Sequence, residues 1–154
     1  MPQFEWPTAE VFVLVPTRTF WEKCTLIHIE CSRPEGRIGD RMFRHWYDLS
    51  KLADHQIGAE ALADIPLLER VVRHKEAFFA YNNVGYDGCL DGSLVLVPPG
   101  GLMDTLHADY KGMVEQQMFT GKPPVFGEVV ERIRTLQGLI NAAVIEHNKK
   151  AQPV

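Results

Sequence analysis

Apolar residues recur at helical spacing along most of the chain, and the interruptions carry turn chemistry. In the last long segment Phe126, Val129, Val130, Ile133, Leu136, Ile140 and Val144 fall on one stripe, predicting a helix over 126–147 that packs by one face. Residues 41–54 place Met42, Trp46, Leu49 and Ala53 together, with Asp40 as the expected N-cap. At 100° per residue Asp48 then points the opposite way, beside Arg44 and Lys51. Residues 18–31 differ. Phe20, Cys24, Ile27 and Cys31 form one stripe, yet Leu26 and Ile29 face away from it. A helix that is apolar all round must be covered on both sides, so this one is expected at the centre of the domain or against a partner. Thr17 is its expected cap, and Pro34 and Gly36 follow its end.

Shorter signals fill the rest. "VFVLV", residues 11–15, is a brief β-branched run closed by Pro16, which predicts a short buried strand. Gly58 opens a short helical stretch, and Asp64-Ile65-Pro66 starts a longer helix ending near Ala80. Residues 82–93 hold Asn82, Asn83, three glycines and two aspartates, a turn-rich excursion. "SLVLVPPGG" predicts an extended segment ended by Pro98-Pro99, and a further helix follows over about 102–119. The expected fold is mainly α: a compact bundle of about five helices with one or two short strands, residues 1–148 forming a single helical domain and 149–154 a frayed tail.

Composition narrows the function classes. A chain of 154 residues with 45% hydrophobic and 23% charged positions suits one globular domain. No apolar run approaches the ~20 residues of a membrane span, and the start "MPQFEWPTAE" has no secretory pattern. Three cysteines without a CxxC pair suit reduced thiols in a cytoplasm. The net charge of −4 argues against a general nucleic-acid coat, although 33–51 carries five Lys or Arg against three acids.

Lys75 is the strongest anomaly. Val71, Val72, Phe78 and Phe79 surround it at helical spacing, so its ammonium must snorkel, find a carboxylate or meet an anionic ligand. Lys23 sits at the edge of its stripe with Glu30 two turns on. Asp48 has an ordinary reading as the partner of Arg44 at i, i+4, stabilising a helix by ~0.2–0.5 kcal/mol. Cys24, His28 and Cys31 share a helix face and "HIE" matches half of a zinc-deaminase motif, but the PCxxC half is absent. His28 is therefore expected to be a hydrogen-bonded core residue. No P-loop, dinucleotide fingerprint, nucleophile elbow or HExxH motif occurs.

"RTFWEKCTLIHIECSRPEG", "RHWYDLSKL", "LLERVVRHKEAFF" and "LVLVPPGGLMDTLHADYKGMVEQQMF" occur in that order over residues 10–145. Together they resemble the C-terminal helical half of AbiEii/AbiGii-type nucleotidyltransferase toxins, of which the MenT toxins are relatives. The resemblance implies that Lys23, in "FWEK", and Asp48, in "RHWYDL", are catalytic residues. It also implies transfer of a nucleotide from an NTP, in some members onto tRNA, by the toxin of a type IV toxin–antitoxin or abortive-infection pair. Such chemistry needs positive charge against the triphosphate, for which Lys23, Arg44 and Lys75 are the phosphate-binding candidates, and carboxylates that hold Mg²⁺.

The metal-holding Gly-Ser and Asp-x-Asp segment of that family is absent from these residues, and no metal ligand is assigned. Gly92-Ser93 is followed by Asp104, but position 106 is Leu; Asp87 and Asp91 lie four apart in a glycine-rich loop. The resemblance implies that the chain starts where the helical half of a full-length relative would start. Two expectations follow. One is a half-site that binds an NTP, is inactive alone, and uses Mg²⁺ and tRNA only when a partner N-terminal half is supplied. The other is a non-catalytic helical interaction module that forms a homodimer or binds an antitoxin or another defence-system partner.

Overall fold

The computed structural model describes residues 10, 13–33, 36–79 and 85–151. Seven helices occur among them, and no strand. The first, α1 (Pro16–Ser32), is the centre of the fold and packs against three others: α2 (Phe43–Asp54), α3 (Gln56–Leu62) and α4 (Ile65–Phe78). Phe20, Trp21, Cys24, Ile27, Ile29 and Cys31 are all buried, and so are the polar Thr25, His28 and Glu30. The all-round apolar pattern of this helix thus has its cover within the chain. Thr25, His28 and Glu30 each have a partner, whereas the buried Trp21 Nε1–H finds no hydrogen-bond acceptor among the described residues. Thr25 donates to the Trp21 carbonyl (2.9 Å), Val95 N–H donates to His28 Nδ1 (3.0 Å), and Glu30 meets Arg33 (3.0 Å).

α1 begins two residues earlier than Thr17 would set it. Pro16, with its φ already suited to a helix and no N–H to satisfy, occupies the first turn, and Val15 is the cap. That start removes the strand expected over 11–15: Val13, Leu14 and Val15 are extended but unladdered, and Val13 is 81% exposed. Residues 11 and 12 lie outside the described set.

Asp40 does not cap α2. The helix starts at Phe43 with no cap from its own side chains. Instead Asp109, on α6 (Leu102–Glu115), accepts from Arg41 N–H (2.6 Å) and Phe43 N–H (2.7 Å). Arg41 adopts φ of 59°, a left-handed conformation that turns both donors toward this carboxylate. Asp64 caps α4 as expected, accepting from Leu67 N–H at 3.0 Å. The short α3 opens at Gln56, two residues before Gly58, and His55 Nδ1 accepts the Ile57 N–H (3.3 Å).

Of the turn-rich stretch, Asp87–Asp91 form a one-turn helix, α5, closed by Gly92 at φ 87°. A Cβ at Gly92 would stand 2.5 Å from Ile145 of α7 (Phe126–Ala151), so glycine is needed there on two counts. α7 buries Val129, Val130, Ile133, Leu136, Ile140 and Val144 of the predicted stripe, leaves its first member Phe126 half-buried, and continues to Ala151.

Residues 93–97 run extended through the core, but no neighbouring strand pairs with them. Side chains from three helices take that role. Asn141 of α7 accepts from Leu94 N–H (2.9 Å) and donates to the Leu94 carbonyl (3.0 Å). Gln137 accepts from Leu96 and Val97 N–H (2.7 and 3.0 Å), and Trp46 Nε1–H donates to the Leu96 carbonyl (2.8 Å). With His28 on Val95, every N–H from Leu94 to Val97 is satisfied, as burial requires.

Candidate functional site

Lys23 leaves the buried surface of α1 one position before Cys24, so its stem is covered while its ammonium reaches outward. Asp48 stands on the face of α2 opposite Leu49 and Trp46. The packing of α1 on α2 brings the two together across 25 positions of sequence: Lys23 Nζ donates to Asp48 Oδ2 at 2.9 Å. The ordinary Arg44–Asp48 pair does not form among the described residues; Lys23, reaching across from α1, is the partner of Asp48. Arg44 is exposed and makes no ion pair among the described residues.

Lys75 resolves its anomaly with a carboxylate. Its ammonium lies 3.2 Å from Glu22 Oε2 and donates to the Glu22 carbonyl oxygen, also at 3.2 Å. Glu22 is the residue before Lys23, so Lys75 and Lys23 flank the same turn of α1. Arg18 approaches the other Glu22 oxygen (Nε to Oε1, 3.4 Å). Sequence reading missed Glu22; its signal was an acid beside Lys23, one helical turn from Arg18. His45 was missed too. It lies three residues before Asp48, hence on the same side of α2, and its Nδ1 is 3.5 Å from Lys23 Nζ.

Around this turn of α1, four cations (Arg18, Lys23, Arg44, Lys75) accompany two carboxylates (Glu22, Asp48). The surplus of positive charge is local, since the whole chain carries −4. Burial, then Lys23 and Arg44, hold His45 below its ordinary pKa, so the imidazole is neutral at pH 7. A cleft of about 190 Å³ opens next to the Glu22–Lys75 pair, lined by Leu26, Ile29, Phe79 and Tyr86. A larger groove of about 600 Å³ lies between α3 and α7, where it includes none of the candidate residues.

The family model for the nucleotidyl transferase AbiEii toxins of type IV toxin–antitoxin systems matches residues 2–132. The chain belongs to this family. The match spans α1 to α6 and the start of α7, and so contains Lys23, Asp48, Arg44 and Lys75. No curated protein and no solved structure matches the chain. Membership in a toxin–antitoxin family implies an antitoxin as counterpart.

Other parts of this AbiEii-family chain offer less chemistry. His28 is a core residue that accepts from backbone, as its apolar surroundings suggested. Burial drives the Cys24, Cys31 and Cys89 thiols upward, the latter two to about 12, so none is a ready nucleophile. Among the described residues no group of three His, Cys, Asp or Glu side chains is placed to hold a metal ion. None of the described helices is long and apolar enough to cross a membrane.

Proposed function

We propose that these residues carry the phosphate-binding part of a nucleotidyltransferase site, with Lys23 and Asp48 as its catalytic pair. The observation that supports it is the joining of these two residues, at 2.9 Å, inside a cluster with surplus positive charge. Lys23 is a compact point charge suited to a polyphosphate. Asp48 is half exposed and acts by orienting that ammonium. Arg44, exposed and without an ion pair among the described residues, adds a second phosphate contact. Lys75 is the weakest of the three because Glu22 already neutralises it.

Nucleotidyl transfer also needs carboxylates that hold Mg²⁺, and these 154 residues contain no Asp-x-Asp pair following a Gly-Ser turn. A further segment, supplied by another polypeptide or a longer product, has to provide them. On this reading the chain alone binds an NTP without transferring it, and tRNA is an acceptor only for the completed site. The kinship is narrowest with the C-terminal half of these toxins and with the MenT toxins, and the setting is a cytoplasmic defence or toxin–antitoxin pair. A dimerising interaction module without a ligand is the second reading, favoured by the exposed Val13, Leu14 and Val15 beside α1.

Incubation with α-labelled NTPs, Mg²⁺ and total tRNA tests the proposal. The chain alone should label nothing. Adding the metal-binding half of a full-length family member should restore labelling, and Lys23→Ala should abolish it. Labelling by the chain alone would overturn the half-site reading.

A further inference from the structure

The nucleotidyltransferase reading gives His45 no task, although it lies against the central lysine of the cluster. Its Nδ1 faces the Lys23 ammonium at 3.5 Å. An ammonium has donors only, so this contact uses the Nδ1 lone pair and leaves the ring proton on Nε2. The charged groups acting on the ring are Lys23 from α1, Arg44 and Asp48 from α2, and Lys75 from α4. Three cations thus oppose a proton on the imidazole and a single carboxylate favours it. The ring is half-buried, which opposes the proton further.

An anion seated on Lys23 reverses this balance. Its charge offsets the three cations, and its oxygens offer the imidazolium an acceptor. We propose that His45 is a further anion-contacting group of the site and takes up one proton as a phosphate is bound. The proton comes from solvent onto Nδ1, and no bond of the ligand changes. Because linkage is reciprocal, the site then holds anions more tightly as the pH falls through the His45 titration. The proposal rests on the reading of Lys23 as a phosphate-binding residue.

The imidazole Cε1–H shift of His45, followed by NMR against pH, tests it. Sulfate is the probe, because it stays fully ionised over the range, so any proton taken up belongs to the protein; chloride at equal ionic strength is the control. In the wild-type chain saturating sulfate should raise the His45 midpoint by at least ~0.5 unit, about threefold in proton affinity. Lys23→Ala should remove the rise. Sulfate affinity should increase from pH 7.5 to pH 6 in the wild type and stay flat in His45→Gln, which keeps an acceptor for Lys23 but does not titrate. Lys23-dependent sulfate binding with an unmoved His45 midpoint would overturn this inference and leave the phosphate site standing. Absence of Lys23-dependent binding would overturn both.

Discussion

Replacing Lys23 by Met and Asp48 by Asn, singly and together, separates what the pair does for stability from what it does for a ligand. The bond is 2.9 Å long, and the two side chains are 18% and 49% exposed. At that distance Coulomb attraction is ~1.4 kcal/mol in bulk water and several times larger at an effective dielectric of ~20. Solvent reaches half of the Asp48 carboxylate, so screening and the entropy of two held side chains offset most of that gain, as in exposed pairs measured at ~0.2–1 kcal/mol. The covered Lys23 stem puts the expected coupling near the top of that range, about 1 kcal/mol. For a chain of this size that is a fall of ~2–4 °C in Tm. Urea unfolding of the four proteins in a double-mutant cycle reads the coupling directly, with unchanged m as the check on two-state behaviour. A coupling above ~2 kcal/mol would refute the reasoning. It would make the pair a structural clamp between α1 and α2, and its presence would then need no ligand.

Three other perturbations have outcomes set by the structure. Gln137→Ala leaves the Leu96 and Val97 N–H groups without acceptors, at ~1–3 kcal/mol for each buried group, so urea unfolding should show a loss of ~2–6 kcal/mol. Asp109→Ala removes the remote cap of α2 and should cost ~1–2 kcal/mol; Asp109→Asn keeps one acceptor oxygen but sets an NH2 donor against the other N–H, so it should regain at most half, and full recovery there would refute a cap that uses both oxygens. Burial holds His28 below its ordinary 6.5, so the unfolded chain takes up that proton first. Stability should therefore fall as pH drops below ~6.5, down to the folded-state value, and Tm against pH should flatten in part in His28→Asn, whose amide oxygen can replace Nδ1. His45, lowered in the same direction, accounts for a share that remains.

The long helices were legible because one periodicity governs them: the stripes of α2 and α7 and the all-round apolar pattern of α1 state both their type and their burial. The errors fall where a local pattern lacks a partner. "VFVLV" has strand composition, but a strand needs a neighbour, and Val13–Val15 have none among the described residues. "SLVLV" is extended as expected, yet its hydrogen bonds go to Asn141, Gln137, His28 and Trp46, all remote in sequence. Asp40 looked like a cap because caps are usually local; Asp109 arrives instead from 66 residues away.

The candidate site divides the same way. Spacing could place Asp48 on the polar face of its helix, but only the packing of α1 on α2 chooses Lys23 over Arg44 as its partner. Family resemblance singled out those two positions together, and family membership rests on the match over 2–132. Lys75 was recognisable as an anomaly, whereas Glu22, which neutralises it, sits 53 residues away, and nothing local links the two.

Isothermal titration with each NTP plus Mg²⁺, on the wild-type chain and on Lys23→Ala, tests the central claim most directly. The account predicts saturable binding to the wild type, with affinity at least ~10-fold weaker in Lys23→Ala, the loss of ~1.4 kcal/mol expected of one charged phosphate contact. Absence of binding, or binding that Lys23→Ala leaves unchanged, would contradict a phosphate site at Lys23 and leave the interaction module as the account of this fold.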